Sequence, residues 1–126
     1  MSTLKVDNLL NSAGNESPIS VPGAAKAWVN FNGIGTVSIR KSYNVSSITD
    51  NGTGRYRINF TTAFSDADYT IVVTSDRAQA PSNIGIISTY TEAAPSTTGY
   101  SFRFSDVAAY ATMQDQNYFY AAAWGD

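Results

Sequence analysis

The chain has 126 residues and a mass of 13.5 kDa, room for one cored domain plus at most an extended arm. Charged residues make up 14% of it, and 8 Lys+Arg against 10 Asp+Glu leave a net charge of −2, which suits neither nucleic acid nor insertion into or onto an anionic membrane. His 0 and Cys 0 exclude Ser-His-Asp and Cys-His nucleophile systems, the usual zinc and haem ligand sets and any disulfide, so no cofactor is expected.

Residues 1–24 read as an N-terminal arm and residues 25–126 as one domain. The start, MSTLKVDNLL, has one lysine and no apolar stretch of signal length, so a secretory leader is not expected. Leu9 and Leu10 form an apolar patch, and SAGNESPISVPG then supplies Pro18, Pro22, Gly14 and Gly23, the punctuation of a linker. An arm of this kind cannot bury its own leucines. It needs the surface of its own domain or of a partner chain.

From Ala25 the apolar residues repeat every second position, the signature of half-buried strands. Ala27, Val29 and Phe31 alternate with Trp28, Asn30 and Asn32, and Gly33-Ile34-Gly35 turns the chain. Val37 and Ile39 follow, and a third run begins at Tyr43 and Val45 and continues toward Ile48. Asp50-Asn51-Gly52-Thr53-Gly54 is a hairpin signal, because Asn and Gly accept the positive φ of a tight turn. Tyr56, Ile58 and Phe60 come next, then Tyr69, Ile71 and Val73, a run near Ile84 to Tyr90, Tyr100 to Phe104, and Asn117 to Trp124. Only Asp106 to Met113 suggests a turn or short helix. Seven or eight short strands with polar turns predict an all-β, antiparallel β-sandwich or jelly-roll-like domain behind an extended N-terminal arm.

Two strands depart from the pattern of one buried and one solvated face. Trp28 points away from Ala27, Val29 and Phe31. In the last run Tyr118, Tyr120, Ala122 and Trp124 share one face, and Phe119, Ala121 and Ala123 share the other. A strand apolar on both faces is covered on both. Either the arm folds back over it or a neighbouring subunit packs there, and the arm and the end strand together favour a subunit. The expected interface residues are Leu9, Leu10, Trp28, Phe119 and Trp124.

The groups that could carry chemistry are few. Asp66 and Asp68, if on a strand, would place two carboxylates about 7 Å apart on one face. That separation lies within the range used by inverting glycosidases, roughly 6.5–9.5 Å. The Ser-Asp-Ala-Asp context reads instead as a turn, with Arg55 or Arg57 as ion-pair partners. A calcium site at Asp50-Asn51 or Asp66-Asp68 lacks EF-hand spacing. Gly33-Ile34-Gly35 is too short for a phosphate loop and leads into a strand. Loops on a rigid sandwich are where binding is expected. The residues there that suit a sugar or protein receptor are Arg77, Gln79, Asn83, Tyr90, Tyr110, Gln114, Asp115, Gln116 and Asn117.

AKAWVNFNG at 25–33 and SYNVSSITDNGTGRYRINFTTAFSDADYTIVV at 42–73 resemble a module of phage tail-fibre-like virion proteins, notably those of cyanobacterial and marine phages. TLKVDNLLNSAG at 3–14 resembles the leader that precedes it. The resemblance spans a little over half the chain, and residues 75–126 carry no such motif. Arg55 stands where the module has an acidic residue, and Tyr43 where it has Phe. The resemblance implies a non-enzymatic virion structural protein, made in the host cytoplasm and homotrimeric, at a tail fibre or tail tip. The arm would then engage other virion proteins, and distal loops would meet a host surface glycan or protein. A capsid decoration protein and a monomeric carbohydrate-binding module are the alternatives.

Overall fold

The period of two becomes eight strands in the computed structural model, which describes residues 2–3, 24–76, 85–89, 92–106 and 113–125. In chain order they are β1 (Ala27–Asn32), β2 (Ser38–Tyr43), β3 (Val45–Asp50), β4 (Arg55–Phe60), β5 (Thr70–Asp76), β6 (Gly85–Ser88), β7 (Gly99–Asp106) and β8 (Tyr118–Trp124). They form two four-stranded sheets, in the orders β2-β1-β8-β5 (sheet I) and β3-β4-β7-β6 (sheet II). Every pairing is antiparallel. The protein is an all-β sandwich, and no helix occurs among the described residues.

Turn chemistry sets the strand ends. Asn32 Oδ1 accepts the Ile34 N–H at 3.0 Å and starts the β1–β2 turn. Asp50 Oδ1 accepts the Gly52 N–H at 2.9 Å in the β3–β4 hairpin, which closes with Gly54 at φ 66°. A Cβ on Gly54 would also lie 2.7 Å from the Phe104 carbonyl oxygen and the Gln114 nitrogen, so glycine is required there twice over. Tyr43 ends β2 rather than opening the third run, because Asn44 adopts φ 53° between them. The Asn44 side chain secures that corner by accepting from the Thr62 N–H at 2.7 Å and donating to the Thr62 carbonyl at 3.1 Å. The chain passes there from sheet I to sheet II.

The inner faces meet in an aromatic core. Phe31 and Phe119 stack with ring centroids 5.2 Å apart, and Tyr56, Phe102 and Phe104 pack against Phe119 from sheet II at 5.1, 5.5 and 5.9 Å. A second cluster of Phe60, Phe64 and Tyr69 fills the other end, with Phe64 and Tyr69 rings 4.6 Å apart. Near that end sheet I carries the small residues Ala27, Ala121 and Ala123 beside Val29 and Ile71, and the three alanines are buried. Small residues on one sheet leave room for large ones on the other, so the two inner faces interdigitate.

Phe119 was expected at a subunit interface and is instead 0% exposed within the single chain, at the hub of the first cluster. It faces inward because its parity matches Ala121 and Ala123, so it has no surface to offer a partner. The suggested turn or helix from Asp106 to Met113 falls largely outside the described residues. At its ends, Asp106 closes β7 and Met113 bridges back to Ser105.

Candidate functional site

With the inner faces committed to the core, function must use the outer faces, the edges or the loops. The two outer faces differ in chemistry. On sheet II, β4 presents Arg55, Arg57 and Asn59, and β7 presents Ser101, Arg103 and Ser105 beside them. These groups bond one another. Arg57 donates to Ser96 Oγ at 2.9 Å and lies 3.4 Å from Ser101 Oγ, while Asn59 donates to Ser47 Oγ and Thr49 Oγ1 at 3.1 and 2.8 Å. Arg103 Nε donates to Ser88 Oγ at 3.1 Å. Arg55 Nε pairs with Glu92 Oε1 at 2.7 Å, and the Glu92 side chain is only 3% exposed. Arg55 and Arg57 therefore do not pair with Asp66 or Asp68. Ile86 is the large apolar side chain exposed on the strands of this sheet among the described residues.

The outer face of sheet I is aromatic. Tyr43, Trp28, Ala122 and Val72 form one row across all four strands, in register Tyr43–Trp28–Ala122–Val72. Trp28 is 40% exposed, Tyr43 46% and Val72 56%, so none of the three is covered by the described residues. Trp124 lies one row further along the same face of β8, opposite Thr70. The next row is Lys41, Asn30, Tyr120 and Thr74, and beyond it Tyr118 faces Asp76. The Tyr118 and Tyr120 rings lie nearly parallel, 15° apart in plane with centroids 6.1 Å apart. Arg40 completes that corner: its guanidinium carbon sits 3.9 Å above the Tyr118 ring. It donates to the Asn117 carbonyl at 2.7 Å and to Asn117 Oδ1 at 2.8 Å. A β-bulge between the Asn30 and Phe31 pairings re-aims β2 at this point, which puts Arg40 on the outer face beside Lys41.

The segment Gln114-Asp115-Gln116-Asn117 was expected as a receptor-facing loop and is a latch. Asp115 Oδ1 accepts the Gly54 N–H at 2.7 Å and the Tyr56 hydroxyl proton. That hydroxyl also lies 3.0 Å from the Gly33 carbonyl oxygen. Gln116 is buried, and its carbonyl accepts the Gly33 N–H at 2.9 Å. The Gln114 N–H reaches the Phe104 carbonyl at 3.2 Å, and Asn117 holds Arg40. Four consecutive residues thus tie both hairpin ends to the start of β8. Burial, reinforced by the Asp115 carboxylate, pushes ionisation of the Tyr56 phenol well above its usual range, and burial raises Tyr69 in the same direction.

Asp66 and Asp68 lie in the bend before β5, so strand spacing does not apply to them. Asp66 Oδ1 accepts the Asp68 N–H at 2.9 Å, and both residues are exposed. Among the described residues no three acidic side chains gather in a way that could hold a metal ion. Leu9, Leu10, Arg77, Gln79, Asn83, Tyr90 and Tyr110 lie outside the described residues.

Of the expected interface set, Trp28 and Trp124 share the aromatic face. Tyr43, Val72, Tyr118, Tyr120 and Arg40 join them without having been singled out as site residues. The parity of β8 already places Tyr118 and Tyr120 beside Trp124. Tyr43 and Arg40 depend on the Asn44 corner and the bulge, which strand alternation does not reveal. No protein-family model matches the chain, and neither the curated proteins nor the solved structures include a match to it.

Proposed function

We propose that the protein is a non-enzymatic structural component of a phage virion, a homotrimeric tail-fibre or tail-tip protein whose subunits meet through the outer face of sheet I. The observation that carries this reading is the contrast between the two outer faces. Sheet II presents polar side chains that bond one another and suit contact with water. Sheet I presents Trp28, Trp124, Tyr43, Tyr118, Tyr120 and Arg40, the residue types that dominate the energetics of protein interfaces. The location in a virion rests on the resemblance of residues 25–33 and 42–73 to tail-fibre-like proteins, and the arm would join this domain to other virion proteins.

The test is the solution mass of the full chain by light scattering, beside that of Trp28→Ala. Three times the chain mass, lost in the variant while the circular dichroism of the folded subunit persists, is the expected result. A wild-type monomer overturns it. Antibody labelling of phage particles then separates a tail position from capsid decoration.

One observation favours a second reading. The Tyr118 and Tyr120 rings lie nearly parallel on the outer face, with Arg40 capping Tyr118 and Asn117 beside it, and aromatic faces next to polar groups are of the kind that hold a sugar ring. A monomer that binds glycans and loses them on Tyr118→Ala would replace the fibre reading with a carbohydrate-binding module.

A further inference from the structure

The strands of the sheet I outer face carry three charges, and their placement is lopsided. Arg40 and Lys41 lie on β2, at one edge of the sheet, and Asp76 lies on β5, at the other. Arg40 is engaged by Asn117 and the Tyr118 ring. Lys41 and Asp76 are both exposed, and the ion pair among the described residues, Arg55–Glu92, involves neither. They cannot pair within one copy. Two strands separate β2 from β5, so at about 4.8 Å per strand spacing the two backbones stand about 14 Å apart.

We propose that a second copy of this chain docks on the outer face of sheet I in a register that sets Lys41 of one copy against Asp76 of the next. This rests on the reading that the aromatic face is the subunit interface. Lys41 and Asp76 belong to neighbouring rows of the face, at Tyr120 and Tyr118 respectively, so one contact between opposite edges can bring them together. Contact between like edges would set Lys41 and Arg40 against their own copies. Once the aromatic rows exclude water, that repulsion strengthens, because charges interact more strongly as the local dielectric falls. The apolar row supplies the attraction, and the two edges select the register.

Charge reversal tests this in the full chain. Lys41→Glu and Asp76→Lys should each raise the subunit dissociation constant about tenfold or more at low salt. The double reversal should bring it back to near the wild-type value. Both residues are exposed, so the melting temperature of the isolated subunit should not move, and the neutral pair Lys41→Gln and Asp76→Asn checks this. Single effects that simply add in the double variant overturn the register. Charge variants that assemble like wild type while Trp28→Ala does not also overturn it, and leave the interface reading in place. A wild-type monomer overturns both.

Discussion

Two aromatic residues of similar appearance in the sequence have opposite roles, and parity separates them. Phe119 is fully buried and contacts Phe31, Tyr56, Phe102 and Phe104, whereas Trp28 stands on the outer face beside Tyr43. Phe119→Ala is expected to lower the unfolding free energy by about 3–5 kcal/mol in a urea titration, since it empties the centre of the core. Trp28→Ala removes mainly a cross-strand pair from the subunit and should lower it by about 1 kcal/mol or less. Equal losses would contradict the assignment of the two faces. Tyr56 gives a second test at this scale. Its folded phenol ionises well above the ordinary value of 10.0, because burial and then Asp115 oppose the phenolate. A folded value above the unfolded one means stability that is complete below about pH 10 and is lost as pH climbs from there toward the folded value. Unfolding midpoints measured from pH 9 to 11 should fall along that limb. Tyr56→Phe removes one titrating group and should flatten the slope by up to about 1.4 kcal/mol per pH unit. An unchanged slope would show that Tyr56 does not differ between the folded and unfolded chain.

At the scale of the element, alternation decided how much could be read in advance. Strands β1, β4, β5 and β7 are legible because each puts large apolar residues at every second position, and β8 because it is apolar on both faces. The Asp50-Asn51-Gly52 hairpin is legible because its chemistry is local. What alternation hides is contact between distant segments. Asp115 bonds Gly54 and Tyr56, about 60 positions earlier, so Gln114 to Asn117 look like a free polar loop until the sheets are assembled. The corner at Asn44 hides for a different reason: a single positive φ leaves the run of β-forming residues around it unbroken. Arg55 shows the same lesson in charge. Its partner Glu92 lies 37 positions away with its side chain nearly buried. Arg55→Ala strands that carboxylate and should destabilise the protein by about 1–3 kcal/mol, reduced from a fully buried pair because Arg55 is 39% exposed. Adding Glu92→Ala should recover part of the loss. A double variant worse than the sum of the two singles would mean that the pair does not hold the segment before β7 against sheet II.

For the whole molecule, the same fold has one polar and one aromatic outer face, and the composition provides a probe for the second. The chain has 2 tryptophans, and both lie on the outer face of sheet I. Neither belongs to the buried core, where Tyr56 and the phenylalanines fill the space. Intrinsic tryptophan emission therefore reports on that face and responds little to core packing. If subunits meet there, diluting the assembled protein should shift the emission to longer wavelength and increase its quenching by acrylamide. Far-ultraviolet circular dichroism should stay constant, because the sandwich itself remains folded. The transition should follow the mass measured by light scattering at each concentration, since both report one association equilibrium. Tyr43→Ser, which thins the apolar row beside Trp28 and keeps both tryptophans, should move both transitions to higher protein concentration together. An assembly whose mass falls on dilution while the emission stays fixed would place the contact on another surface, and the aromatic rows would then be free for a ligand such as a sugar.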